Sequence, residues 1–232
     1  MGTTQKRKRK EYKSLAPLIT TCMDSIIFDA EGISGFAHLN GDAKLNIVFG
    51  DNASGKSLML TALRAFIGPR EESGAESFTV SMNMRTNGGM ARAFMYQDES
   101  YSSTGAASLS SVTGAFRNAA ARTHPVWLFL DEPDTGLSDR YASAMGAFIA
   151  QQVNALPEHV RGVTLVSHSR PLLRRLLREV HTPPHEISMG ADRTLVEFID
   201  PTEPQEASID ELLAFGEHAA MTLKNVAAVL RG

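Results

Sequence analysis

The run Leu45–Phe49 (LNIVF) is compact and dominated by apolar residues, and it stops at Gly50. That pattern predicts a buried strand. A short polar loop follows. From Ser57 to Ile67 the apolar positions then recur as Met59, Leu63, Phe66 and Ile67, at helical spacing, until Gly68-Pro69 ends the helix. A buried strand turning directly into an amphipathic helix leaves few folds open to the chain. The turn itself is Gly50-Asp51-Asn52-Ala53-Ser54-Gly55-Lys56-Ser57, which fits G-x-x-x-x-G-K-[ST] in full. Each residue type has a physical reason. The glycines let backbone N–H groups curl around phosphate oxygens without a Cβ in the way. The helix N-terminus adds partial positive charge. Lys56 is placed to reach the β- and γ-phosphates of a nucleotide, and the Ser57 hydroxyl to ligate Mg²⁺. The competing reading is a chance glycine-rich turn, which strand and helix on either side disfavour.

The remainder alternates strand and helix patterns, so the expected fold class is α/β with a mostly parallel core sheet. Ser25–Phe28 is short and apolar, like a strand. Residues 77–85 and 91–96 flank Asn87-Gly88-Gly89, a hairpin signal. Residues 99–115, rich in serine, open a helix that runs through Arg122. Val126–Leu130 and Val163–Val166 are buried-strand runs. Ser138 is placed to cap a helix with Tyr141, Met145, Phe148, Ile149 and Val153 on its apolar face. A basic helix with Leu172, Leu173, Leu176 and Leu177 follows the last of these strands. Ser208 and Glu211 form a capping box for a final helix reaching Leu230. The expected organisation is a basic tail over 1–14, one domain over 15–200, and a C-terminal helix within 201–232.

Val126–Leu130 leads into Asp131-Glu132-Pro133. Open α/β sheets bind ligands at the carboxyl ends of their strands, so this acidic pair is expected beside the phosphate loop. Asp131 is a candidate to hold Mg²⁺ through water, and Glu132 to polarise an attacking water. A plain polar strand end is the rival reading.

Together, Leu45–Ser57 and Leu130-Asp131-Glu132-Pro133-Asp134-Thr135-Gly136-Leu137-Ser138-Asp139 resemble the ABC-type ATPases, in particular the soluble branch of RecF, SMC and MutS proteins. The resemblance covers roughly residues 25–180. It implies a P-loop NTPase fold of the RecA/ABC kind with a small antiparallel β-subdomain, and two ATP molecules held between two head-to-tail copies. Gly50–Ser57 match the Walker A loop, Asp131 the Walker B aspartate and Glu132 the catalytic glutamate. Leu137-Ser138-Asp139 match the D-loop that reaches across the dimer. His168, in Val-Ser-His, matches the switch histidine that senses the γ-phosphate, and Gln97 the Q-loop glutamine that contacts Mg²⁺ and the attacking water. Phe28 and Phe36 are aromatic candidates for stacking on adenine, with core packing the stronger reading for both.

Two features depart from the family pattern. Ser102 follows Gln97 almost at once, leaving no room for the helical subdomain of transporters or the coiled coil of SMC-like proteins. The resemblance therefore implies a stripped ATPase head that does not dock on membrane subunits. No Leu-Ser-Gly-Gly-Gln signature is present. Ser102-Ser103-Thr104-Gly105 is the best candidate, with Ser103 and Gly105 offering a hydroxyl and backbone N–H groups to a partner's γ-phosphate. Ser108–Ser111 is a rival stretch, and a flexible serine-glycine loop is the bland alternative.

Charge and cysteine content narrow the setting. The net charge is −3, yet Lys6, Arg7, Lys8, Arg9, Lys10 and Lys13 crowd the first residues. This tail, and Arg170, Arg174 and Arg178 on one helical face, are candidate contacts for nucleic-acid phosphates. A solvated tail and a solvated helix face are the plainer readings. Cys22 is the sole cysteine, so no internal disulfide can form and a cytoplasmic protein is expected. No apolar run is long enough to span a bilayer. The functional expectation is an ATP hydrolase that dimerises around Mg-ATP and drives a change in a nucleic-acid or protein partner, in DNA maintenance, repair or phage defence. The alternative is an ATP-gated dimeric binding module whose slow hydrolysis controls a separate effector protein. A small-molecule kinase is a third reading, disfavoured because Asp131-Glu132 and Leu137–Asp139 have no clear role in one.

Overall fold

The computed structural model describes residues 11–30, 33–81, 104–202 and 208–229. Six strands form one sheet. They are β1 (Gly35–His38), β2 (Leu45–Gly50), β3 (Glu76–Ser81), β4 (Val126–Asp131), β5 (Val160–Val166) and β6 (His185–Met189). Their order across the sheet is β1-β6-β2-β5-β4-β3. Among the described residues only the β1–β6 pair is antiparallel; every other neighbour pair is parallel.

The helices are α1 (Leu15–Met23), α2 (Lys56–Ile67), α3 (Arg70–Ser73), α4 (Thr104–Ala120), α5 (Asp139–Asn154), α6 (Arg170–Glu179), α7 (Leu195–Ile199) and α8 (Ile209–Val229). They cover both faces because the central strands are apolar on both. In a strand, successive side chains point to opposite faces. Leu45, Ile47, Phe49, Leu128, Leu130, Val163 and Leu165 therefore pack under α4, α5, α6 and α7. Val48, Trp127, Phe129 and Val166 pack against α1 and α2, where Val226 of α8 joins them. Among the described residues no helix is long and apolar enough to cross a membrane. Cys22 is buried against Met59, and burial pushes its thiol up to about 12, so it stays protonated.

One expectation changes. Ser25–Phe28 is not a strand: Ile26–Asp29 form a single 3-10 turn. Phe28 packs in the core beneath α1 and α2, as the plainer reading held, and Phe36 sits half-buried on β1. The first arm of the expected hairpin is a strand, and on its inner side it pairs in parallel with β4, Glu76 opposite Val126 through Ser81 opposite Asp131. Its alternating pattern specifies a strand without specifying its neighbour. Residues 82–96, with the rest of the hairpin signal, lie outside the described residues. The antiparallel element that is described is β1–β6.

Helices α5 and α6 make the closest helix contact. A Cβ built on Gly146 would stand 2.2 Å from the Leu172 carbonyl oxygen and 3.1 Å from the Leu176 nitrogen, both rigid backbone. Gly146→Ala is therefore expected to push α6 off the sheet, at a cost of about 1–3 kcal/mol. Chemical denaturation reads this directly as a lower midpoint at unchanged slope. An unchanged midpoint would show that the helices have slack.

Tyr12 is buried, and Arg161 on β5 donates to its carbonyl and pairs with Glu11 at 2.7 Å. The chain before α1 is thus tied to the sheet. At the other end, Ser208 and Glu211 make the expected reciprocal cap of α8, with Glu211 N–H donating to Ser208 Oγ at 3.1 Å and Ser208 N–H to Glu211 Oε2 at 2.6 Å.

Candidate functional site

The carboxyl ends of β2, β4 and β5 bring three sequence-predicted groups to one edge of the sheet: the loop 50–57, the Asp131-Glu132 pair and His168. The loop is built on backbone conformations that need small residues. Gly50 has φ +147° and Gly55 φ +99°, and Ala53, at φ +57°, is left-handed without being glycine. Gly50 is doubly constrained, since a Cβ there would lie 2.4 Å from the Met189 carbonyl oxygen on β6. Gly55 sits at the start of α2 and offers no side-chain cap. The first N–H groups of that helix therefore keep their donor capacity for a ligand. Ser54 Oγ is buried with no hydrogen-bond partner.

Lys56 is only 6% exposed. Its Nζ donates to the carbonyls of Asp51 at 2.7 Å and Gly50 at 3.1 Å. Desolvation lowers its pKa, opposed by the charges of Glu132, Asp51 and Asp131. The lysine is thus folded onto its own loop, with acidic groups in electrostatic reach.

Asp131 ends β4 as a buried carboxylate whose Oδ2 accepts from Ser81 Oγ at 2.8 Å. Burial raises its pKa, opposed by the Ser81 hydrogen bond and assisted by Glu132. Glu132 has φ +49°, a conformation that costs a non-glycine residue of order 1–3 kcal/mol. Its backbone is held there because its N–H donates to Val166 O and its carbonyl accepts from Thr135 N–H and Oγ1. That turn aims the carboxylate at His168, with Nδ1 3.1 Å from Oε1. The hydrogen bond from His168 lowers the Glu132 pKa, and the same bond raises that of His168.

The signs set a pH window. The raised His168 contributes stability in full below its ordinary 6.5, and this is lost as pH rises through its folded value. The lowered Glu132 contributes in full above its ordinary 4.5, and this is lost as pH falls through its folded value. The stability gap between wild type and His168→Asn is therefore expected to be widest between 4.5 and 6.5 and to shrink above and below. Urea midpoints measured from pH 4 to pH 9 test this. A gap independent of pH would mean the pair is not ionic.

The remaining candidates divide. Gln97 and Ser103 lie outside the described residues. Gly105, in the first turn of α4, is packed on the loop after β4: a Cβ there would meet Leu137 at 2.6 Å and the Gly136 carbonyl at 3.3 Å. Ser138 occupies the N-cap position of α5, but its side chain makes no capping bond. Its exposed hydroxyl lines the same apolar groove as Gly105, Leu137 and Tyr141. The rival stretch Ser108–Ser111 is spent on structure. Ser108 Oγ donates to Thr135 O at 2.9 Å and Ser111 Oγ to Ala107 O. In the arginine row, Arg170 lies 5.6 Å above the Phe198 ring and Arg174 binds the Ile199 carbonyl and Asp200. Two of the three arginines therefore fasten α6 to α7.

Neighbouring groups missing from the sequence reading are Ser81, which holds Asp131; Ser167, buried and donating to Asp134 Oδ1 at 3.2 Å; and Arg193, paired with Asp51. A polar cleft of about 510 Å³ runs from Glu132 and His168 past Asp134 and Gly136 to Arg170.

The donors present suit Mg²⁺. Ser57 is exposed beside the loop and Asp131 supplies one anchored carboxylate. Mg²⁺ keeps several waters and takes one or two protein oxygens with substrate phosphates, rather than a full protein cage. Among the described residues no cluster of three or more His, Cys, Asp or Glu side chains could hold a metal ion by itself. No protein-family model matches this chain, and no curated protein matches it.

Proposed function

We propose that the chain binds ATP with Mg²⁺ at residues 50–57 and hydrolyses it, as a compact ATPase of the ABC type. The observation that carries this reading is the meeting of three features at one sheet edge: a loop with left-handed backbone at Ala53 and Gly55 onto which Lys56 folds, a buried carboxylate at Asp131, and a strained, histidine-held carboxylate at Glu132. A loop that merely turned the chain would require none of the acidic partners.

In this reading the N–H groups of the loop and of the first turn of α2 take the phosphate oxygens, and Lys56 moves from the carbonyls of Gly50 and Asp51 to the β- and γ-phosphates. Ser57 and Asp131 hold Mg²⁺, which supplies charge neutralisation on the phosphates when bound. Glu132 accepts the proton of a water whose oxygen bonds to the γ-phosphorus. The bond from that phosphorus to the β-bridging oxygen breaks, and its electron pair leaves with ADP. His168 orients the Glu132 carboxylate and, once protonated, donates to the γ-phosphate.

Gly105 and Ser138 share a groove away from the loop and serve a second copy of the chain, closing a homodimer around two nucleotides. Opening after hydrolysis works on a nucleic acid or on a separate effector protein, in DNA maintenance, repair or phage defence. The engagement of Arg170 and Arg174 with α7 favours the effector protein. The Glu132–His168 hydrogen bond supports a second reading, in which ATP gates a dimeric binding module and hydrolysis is slow: whenever the histidine is protonated, the glutamate paired with it is a poor base until the histidine moves away.

The test is phosphate release from Mg-ATP by the purified chain, with mass measured on ATP addition. Release into water at any steady rate, with a doubling of mass, is expected. Phosphate appearing on a small-molecule acceptor instead would make it a kinase, and no loss of γ-phosphate together with no change of mass would remove both readings.

A further inference from the structure

Arg193 lies on the loop that leaves β6, far in sequence from residues 50–57, yet its Nη2 donates to Asp51 Oδ2 at 2.7 Å. Lys56 Nζ donates to the carbonyl oxygen of the same residue, also at 2.7 Å. Two cations therefore converge on one residue of the phosphate loop, Lys56 on its backbone and Arg193 on its side chain. Lys56 is the group that a triphosphate's β- and γ-phosphates would draw off, and Arg193 stands close enough for its charge to be felt at Lys56.

The two members of the Arg193–Asp51 pair differ in freedom. The Arg193 side chain is 15% exposed and that of Asp51 67%. The guanidinium carbon stacks 4.8 Å from the centre of the Phe198 ring, and that ring is itself packed on Phe49 at 5.3 Å. The backbone around Arg193 is also pinned. Gly190 N–H donates to Ser34 O, Ser188 Oγ to Ala191 O, and Leu195 N–H to Glu186 Oε2. Thr194 and Glu197 close a capping box directly after it. The cation is the fixed partner and the carboxylate the movable one. Its Nε is buried with no acceptor, so the guanidinium is incompletely satisfied. An ion pair to an exposed carboxylate is weak and easily exchanged, whereas a phosphate matches the planar guanidinium fork with two parallel hydrogen bonds.

We propose that Arg193 is a second phosphate-binding cation of this site: its guanidinium exchanges Asp51 for the terminal phosphate of a bound nucleoside triphosphate, so that the site prefers triphosphate to diphosphate. This rests on the nucleotide-binding reading of the loop. A diphosphate is held by the loop amides and Lys56 alone and leaves Arg193 on Asp51. Loss of the terminal phosphate thus restores the Arg193–Asp51 pair, and the loop after β6 reports which nucleotide is bound.

Equilibrium binding of ATP and ADP, each with Mg²⁺, to wild type, Arg193→Gln and Arg193→Lys tests this, alongside the Tm of each protein. Arg193→Gln is expected to weaken ATP about tenfold or more, and ADP by less than about threefold. Arg193→Lys recovers part of the loss, keeping the charge without the fork. Asp51→Asn, which frees the guanidinium, moves the ratio the other way and tightens ATP relative to ADP. A Gln variant with the wild-type ATP-to-ADP ratio overturns the proposal, whether both affinities hold or both fall together with Tm. If Arg193→Gln does not fold, an unchanged ratio in Asp51→Asn overturns it. Wild type that binds neither nucleotide overturns the reading of the loop and this proposal with it. Wild type that binds both, with a ratio insensitive to residue 193, overturns this proposal alone.

Discussion

Glu132→Gln is expected to slow ATP turnover by about 10²- to 10⁴-fold, the range supplied by a positioned general base. It should leave ATP affinity within about threefold of wild type, because no phosphate contact depends on the lost charge. Glutamine keeps the length and the hydrogen-bonding oxygen of the side chain, and the backbone locks around residue 132 come from Val166 and Thr135 rather than from its side chain. What is lost is the negative charge. Asp131 loses a like-charged neighbour that raises its pKa, and His168 loses the partner that raises its own. The variant should therefore hold its triphosphate, and as a homodimer it should persist for as long as ATP is supplied. Turnover within about threefold of wild type would remove Glu132 as the base.

Lys56→Ala is expected to weaken ATP by about 100-fold, the equivalent of two charge-assisted hydrogen bonds to phosphate. Its effect on the unliganded fold should be small and of either sign. The ammonium is buried and disfavoured by desolvation, so removing it relieves a cost. Against that, it gives up two hydrogen bonds to carbonyls of the loop. Affinity by calorimetry and Tm without ligand separate the two effects. A variant that binds ATP as wild type does would show that the loop amides hold the ligand alone, and a collapse of Tm would make Lys56 a structural clamp. The opposed signs are what a functional lysine predicts, since groups held for ligands are rarely placed for stability.

Much of this arrangement was legible in the chain. Leu45–Ile67 carries its strand, loop and helix in local pattern, because each element buries an apolar stripe that the sequence spells at the right period. The cap at Ser208 and the strand run into Asp131 are equally local signals, whereas Ser138 takes the N-cap position of α5 without making a capping bond. What stayed hidden is set by pairing between distant segments. Strand β6 reads as His-Glu-Ile-Ser-Met, with His185 and Ser188 buried inside the sheet, so it has no hydrophobic run to announce it. His185 is accommodated by accepting from Asn40 N–H at 3.0 Å, and burial lowers its pKa. Ser81 supports Asp131 only because β3 and β4 are in the register that sets those two residues side by side. Arg193 reaches the phosphate loop only because Met189 is opposite Gly50. A parallel register is not written in either strand alone, and that is why Ser81 and Arg193 escaped while the loop 50–57, Asp131-Glu132 and His168, each at the end of a strand run, could be read from local pattern.

In the proposed function a triphosphate is held by the backbone of residues 50–57 and the first turn of α2. Amide hydrogen exchange of wild type with and without a non-hydrolysable ATP analogue and Mg²⁺ addresses it most directly, because it reads those N–H groups themselves. The account predicts strong protection of amides from Asp51 through Met59, with weaker protection around Glu132, His168 and Arg193. Unchanged exchange across Asp51–Met59 at saturating analogue, or protection confined to another part of the sheet, would contradict it.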